Sequence, residues 1–401
     1  ESKHVRAVEN QAEAVRDALR QPIAAKPLKD SVKSSHKVAV VFNDITRPTP
    51  YKIILPELLD ELGHVPDDHI IMLNATGTHR SNTEAELREI LGEEVVNRFR
   101  VFQNNALDPG SHTFAGTTEG GNEIRLHREY VESDIRILTG FIEPHFFAGF
   151  SGGGKACMPG LALLETILRN HSVKNLDNAK ATWGITRGNP VWEEITEAAS
   201  IVQPTFLLNV TLNYDKQITG VFAGDLEESH KRGCTFARRS AMIPVKEPYD
   251  IVISCNSGYP LDLNLYQSVK GISAAAQIVK QGGSIIMAAD CWDGIPEHGE
   301  YAGLLLEAES PEHLLQTIRS YGFSVQDMWQ AQIQALLLLK AKVYFYSKNL
   351  SDEQIAGAML RPCHSIEAAV EKLIREHGRD ASICILPEGP QSIAYIDNAL
   401  R

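Results

Sequence analysis

Residues 149–156 read GFSGGGKA, so Gly149, Gly152, Gly153 and Gly154 crowd around Lys155. Gly149, four residues, Gly154 and Lys155 match the core of a Walker phosphate loop, but Ala156 stands where a Ser or Thr would hold Mg²⁺. Such a loop must also run directly from a strand into a helix, whereas the nearest apolar run ends about ten residues upstream and Pro159-Gly160 interrupts the chain just after Lys155. A lysine held in glycines has two other readings. One is a solvated loop residue; the other is the covalent anchor of an organic cofactor, because glycine lets the backbone approach a ligand closely and lysine is the usual attachment point.

Three histidines sit in similar Gly- or Pro-punctuated settings: His79 in NATGTHRSNT, His145 in GFIEPHFFAGF and His171 in ILRNHSVKN. None forms an H-E-x-x-H or H-x-H pair, so spacing alone announces no zinc site, and any one of them could be structural. His79 and His145 each follow an apolar run by a few residues, which in an α/β sheet is the carboxyl end of a strand, where catalytic groups gather. Asp44 and Arg47 in FNDITRPTP hold the same position after Val38–Phe42, and Pro48 and Pro50 stiffen the turn that aims the guanidinium. Arginine at such a place is a natural clamp for a carboxylate or phosphate.

These groups need a scaffold, and the pattern supplies one. Short β-branched runs (38–42, 70–74, 135–138, 206–210, 251–254, 284–288, 343–346, 383–386) alternate with amphipathic stretches (54–62, 84–90, 191–202, 274–280, 311–320, 365–377), which predicts an α/β fold with parallel or mixed sheets. Asn189-Pro190 opens one helix as cap and first residue. With 401 residues the chain is too long for one core, and two domains are expected. A helix and connector over 235–248 place the change, giving one domain from 1–245 plus 380–401, made discontinuous by a returning last strand, and a second from 246–379.

Hydrophobic residues at 43% and charged residues at 22% describe an ordinary globular protein, with no apolar run long enough to span a bilayer. No secretory signal is visible, so a cytoplasmic location is expected. A net charge of −12 argues against nucleic acid as partner. The six cysteines are scattered without a C-x-x-C pair and read as reduced core residues.

Taken in order, DITRPTP, ATGTHR, EPHFFAGFSGGGKACMPG, RNH, RGNPVWEEI, GVFAGDLEESH and SGYPLDLNLYQSVKGISAAA resemble the nickel-dependent lactate racemase family, collinearly from about Val38 to Ala288. The resemblance implies two α/β domains with the active site in the cleft between them, a nickel-pincer nucleotide as cofactor, a 2-hydroxy acid as substrate, and cofactor-biosynthesis proteins as partners. Carried over by position, Lys155 resembles the lysine bound to the cofactor through a thioamide and His171 the histidine that completes the nickel coordination. His79 and His145 resemble the acid/base pair and Arg47 the substrate-orienting arginine. Asp44, Gln267 and Lys270 resemble polar groups of the pocket, and Phe147 the aromatic near the pyridinium ring.

The chemistry implied accounts for the residue types. The α-proton of a 2-hydroxy acid is weakly acidic beside a carboxylate, so removal as hydride avoids a dianion. The two enantiomers present their hydroxyls on different sides, which calls for two bases poised near neutrality. Gln267 and Lys270, three apart on a helix, could equally be a solvated face. Tyr266 and Trp292 are candidates for pocket walls or for core. Two other functions fit part of the pattern: an NAD-type 2-hydroxy acid dehydrogenase, disfavoured because no G-x-G-x-x-G follows a strand, and a non-catalytic carrier of the nickel cofactor, which would not need both histidines.

Overall fold

The computed structural model describes residues 5–203, 205–297 and 299–397. The chain divides into two compact units. The first takes the described residues up to His171 together with Asn178–Ser240; the second takes Ser172–Asp177 and the described residues from Ala241 onward.

The first unit is built on β1 (Val38–Asn43), β2 (Ile70–Ala75), β3 (Arg100–Gln103), β4 (Ile135–Phe141), β5 (Thr205–Leu212) and β6 (Ile218–Asp225). Val38, Ala39, Val40, Val41 and Phe42 are all fully buried, as expected of a central parallel strand covered on both faces. Alternate residues Val38, Val40 and Phe42 join Ile70 and Met72 in one core with Leu55, Leu58 and Leu62 from the helix over Tyr51–Glu61 and its end. The strands lie in the order β6-β5-β4-β1-β2-β3, parallel except for β6 against β5. The order therefore reverses between β1 and β4. Connections leaving these two strands diverge to opposite sides and open a crevice at their carboxyl ends, the place where α/β sheets bind ligands.

The second unit has a parallel sheet of β7 (Tyr249–Cys255), β8 (Val279–Ala288), β9 (Lys342–Tyr346), β10 (Arg361–Pro362) and β11 (Ile383–Leu386), ordered β10-β9-β8-β7-β11. The expected return of the last strand to the first domain does not occur. β11 pairs with β7 instead, from Ile251↔Ile383 to Ser254↔Leu386, and the Asp250 carboxylate accepts from both the amide and the hydroxyl of Ser382 at the start of that pairing. A further strand, Ile393–Ile396, pairs with Met242–Val245, which lies where only a connector was expected. The helix expected over 274–280 runs instead over Leu265–Ala276, capped by Asn264, and Lys280 already belongs to β8.

Residues Ser172–Asp177 are a detached piece of the second unit. They form a single helical turn, Val173–Leu176, and Asp177 Oδ1 accepts from Arg319 and from Gln332, each at 2.9 Å. All six cysteines are free thiols. Among the described residues no helix is long and apolar enough to cross a membrane.

Candidate functional site

The turn after β1 carries Asp44 and Arg47, and the turn after β2 carries His79. Asp44 is buried, and its carboxylate joins the two turns: Oδ2 accepts from His79 Nδ1 at 2.8 Å, while Oδ1 accepts from the Thr46 amide at 2.8 Å. Burial acts to raise the Asp44 pKa, but the charge and hydrogen bond of His79, with Arg47 and Thr46, outweigh it and hold the carboxyl well below the usual carboxylate range. An ionised Asp44 accepting from Nδ1 keeps a proton on that nitrogen, so Nε2 is the nitrogen of His79 left to exchange one. Arg47 is steered by its neighbour: Nη1 donates to the Thr46 hydroxyl at 2.9 Å and to the Thr46 carbonyl at 3.2 Å.

Beyond the end of β4 the chain makes a two-residue ladder, Pro144–His145 against Gly149–Phe150, and then a 3₁₀ turn over Gly153–Ala156. No helix follows the glycines until Leu164, so the segment lacks the strand–loop–helix form of a Walker loop. His145 is buried; its Nδ1 accepts from the Ala148 amide at 3.2 Å and its Nε2 lies 3.0 Å from Lys155 Nζ. Phe147 is the hub of this cluster. Its ring meets His145 edge-on at 4.7 Å and His171 at 5.0 Å, and lies 5.4 Å from Lys155 Nζ.

His171 closes the helix Leu164–Asn170 and is buried. Its Nδ1 lies 2.9 Å from Asn170 Oδ1, and because the Asn170 amide nitrogen donates to Val191 O and to Glu194 Oε2, the oxygen is the atom facing the ring. The proton therefore sits on Nδ1 and the lone pair on Nε2. Burial, and then the charge of Lys155, pushes the His171 pKa down to about 3, so the ring is a neutral imidazole at any ordinary pH. That is the form in which histidine ligates a metal.

The structure thus gathers Asp44, Arg47 and His79 into one cluster and His145, Phe147, Lys155 and His171 into another, at the carboxyl ends of β1, β2 and β4. The loops touch directly: the Gly77 amide donates to Gly160 O at 2.9 Å, and Asn104 braces both, its carbonyl accepting from the Thr76 hydroxyl and its amide nitrogen lying within reach of Gly77 O and of Ala162 O. Gln267 and Lys270 belong to the second unit. They are buried rather than a solvated face, with Lys270 Nζ donating to Gln267 Oε1 at 2.8 Å. Tyr266 receives a hydrogen bond from Trp329, whereas Trp292 is 62% exposed and no part of a core.

Several residues of the site carry no sequence signal of their own. Asn209, in the middle of β5, accepts from the Gly153 amide at 2.7 Å. Asn189, readable only as a helix cap, also donates to Phe147 O at 2.9 Å. His230 lies beneath the glycines, and only its place in GVFAGDLEESH hinted at it.

The chain resembles known proteins over nearly its whole length. Residues 1–184 match the lactate racemase N-terminal domain and residues 245–394 the lactate racemase C-terminal domain. A lactate racemase of Lactiplantibacillus plantarum is 37% identical over 95% of this chain and 90% of its own length. One from Thermoanaerobacterium thermosaccharolyticum is 35% identical over 95% of this chain and 89% of its own. The solved lactate racemase apoprotein from the latter organism superposes with a TM-score of 0.90, at 33% identity, over 97% of this chain and 93% of that one.

Proposed function

Since the chain belongs to the lactate racemase family and is an isomerase, we propose that it interconverts the enantiomers of lactate or a related 2-hydroxy acid through a 2-keto acid. In this reading Lys155 is the covalent anchor of a nickel-pincer nucleotide and His171 the protein ligand of its nickel. The observation that carries it is the convergence of a half-buried Lys155 with His145, Phe147 and a neutral, Nδ1-protonated His171 in one cluster. The donor set fits the group. Among the described residues no three His, Cys, Asp or Glu side chains converge on a point; in this reading His171 would be the imidazole donor and the remaining donors would be the cofactor's own soft sulfurs, which suit Ni(II).

When bound, that group supplies an acceptor for the hydride of the substrate α-carbon. The chain's residues do the rest. Arg47, aimed by Thr46, pairs with the substrate carboxylate, whose two oxygens match the guanidinium fork. His79 Nδ1 donates to Asp44, which leaves Nε2 as the lone-pair nitrogen able to take the hydroxyl proton, while the Ala148 amide donates to His145 Nδ1, which puts the proton of that neutral ring on Nε2, where it can be given. One histidine takes that proton from one enantiomer and the other returns a proton to the opposite enantiomer. Phe147 covers the anchor point and shields it from water.

The test is isotopic. With protein made alongside the cofactor pathway, lactate deuterated at the α-carbon should yield the opposite enantiomer with its deuterium kept. Full exchange with solvent in a single inversion would mean proton abstraction at carbon and end the hydride reading. A mere carrier would hold the cofactor and convert nothing. Two variants refine the roles. Arg47→Ala should raise KM and lower kcat together, because one clamp sets both affinity and alignment, and steady-state kinetics with each enantiomer separates this from a loss in KM alone. His171→Ala should lose most of its nickel, measured by elemental analysis after gel filtration, while keeping its nucleotide; unchanged metal content would move the ligand elsewhere.

A further inference from the structure

Two residues of the motifs GVFAGDLEESH and RGNPVWEEI, His230 and Trp192, come together under the glycine loop. His230 lies on the helix Leu226–Ala241, whose buried residues Leu226, Ser229, His230, Gly233, Cys234 and Ala237 form one stripe. It is 4% exposed, its Nε2 lies 2.8 Å from the Ser151 carbonyl, and its ring stacks nearly parallel to Trp192, with 13° between planes and 6.2 Å between centroids.

A carbonyl can only accept, so the imidazole proton is on Nε2. Burial pushes the His230 pKa down to about 4, the Lys155 charge adding to it, so the ring stays neutral and this proton stays in place. Ser151 is fixed at its other atoms as well: its amide donates to Glu143 O at 2.8 Å and its hydroxyl to Phe141 O at 2.9 Å. Two residues on, the loop passes directly over the imidazole. A Cβ on Gly153 would lie 2.7 Å from His230 Cγ, at a backbone φ of +57° that already favours glycine, and on the other side the Gly153 amide is pinned by Asn209. The loop is thus clamped between Asn209 and His230 one turn before Lys155, whose own amide donates to Gly152 O at 3.2 Å.

We propose that His230 is a positioning residue for Lys155: its Nε2–H holds the Ser151 carbonyl while its ring face, backed by Trp192, seats Gly153, and together they fix the loop that presents the lysine amine to His145. The consequence for catalysis rests on Lys155 being the cofactor anchor; the placement of the amine does not. Glutamine can put an amide N–H where Nε2 lies, whereas asparagine reaches only the Nδ1 position. The two amides therefore separate a specific hydrogen bond from general packing.

The experiment uses the full chain made without the cofactor pathway. Trace acetic anhydride is applied at several pH values, and acetylation of Lys155 relative to the exposed Lys52 is read by peptide mass spectrometry. His230→Gln should stay within about threefold of the wild-type ratio, while His230→Asn and His230→Leu should fall by about tenfold, the equilibrium worth of one such hydrogen bond. His230→Asn keeps the comparison alive if the leucine variant fails to fold. Asparagine protein with native near-UV circular dichroism and the wild-type ratio would overturn the proposal, as would glutamine falling as far as asparagine. Intact mass after production with the cofactor pathway tests the other reading separately: an unmodified wild-type chain would remove Lys155 as anchor and leave the acetylation result to judge His230 on its own.

Discussion

Lys155→Ala is expected to yield a folded protein with no covalent nucleotide and no measurable racemisation. The side chain is half-buried in a turn whose shape is set by backbone, not by the amine: the Gly153 amide is held by Asn209, Ser151 by Glu143 and Phe141, and the Cys157 amide by Gly154 O. Truncation removes the Nζ contact with His145 and the one with Phe147 and leaves those backbone hydrogen bonds in place. The fold should therefore persist, and a melting temperature near that of the wild type would show it. Intact mass is the decisive reading, because it sees the attachment without relying on turnover. Arginine at 155 would keep the charge but not the nucleophile and should also stay unmodified. A variant that retained a covalent nucleotide would end the assignment of Lys155.

The second large effect concerns the two histidines. His79→Ala and His145→Ala should each depress conversion in both directions by about two to four powers of ten, the usual worth of a positioned acid or base. Reversibility requires both halves of the path, so neither enantiomer escapes. The half-reactions should differ, however. In a single turnover with loaded protein, each variant should still form 2-keto acid from one enantiomer and hardly any from the other, with the preference opposite in the two variants. Equal losses from both enantiomers in both variants would mean that the histidines do not divide the work by hand. His79→Ala also leaves Asp44 a buried carboxylate without its largest stabilising partner. Its melting temperature should drop more than that of His145→Ala.

The central strands were legible because a parallel strand buried on both faces can be written only in apolar, mostly β-branched residues, as Val38–Phe42 and Ile70–Leu73 are. The edges were not. Arg100–Gln103 is four residues long and partly exposed, and Ile218–Asp225 contains Gly220 and Gly224, which read as turn. Gln267 and Lys270 could be read as a solvated helix face, while the structure buries both in the Leu265–Ala276 helix and hydrogen-bonds one to the other. Within the site, residues that follow strand ends could be named from position alone. Their supports could not: Asn170, Asn209 and His230 are polar residues inside regular elements, a pattern that usually marks a solvent face. The bond from Asp44 to His79 spans 35 residues, and no local spacing encodes it.

The detached turn Ser172–Asp177 sets an order of events during synthesis. It leaves the ribosome directly after His171, yet Asp177 finds its partners Arg319 and Gln332 only 142 and 155 residues later. At about 5–20 residues per second, that is a wait of roughly 7 to 30 s, in the later part of which the first unit has all of its strands while the segment next to His171 belongs to nothing yet made. A nascent chain released early, or a fragment cut between Ser240 and Ala241, would carry every histidine of the site together with a short stretch of foreign fold. If His171 is the ligand proposed above, loading it would be a task for the finished polypeptide.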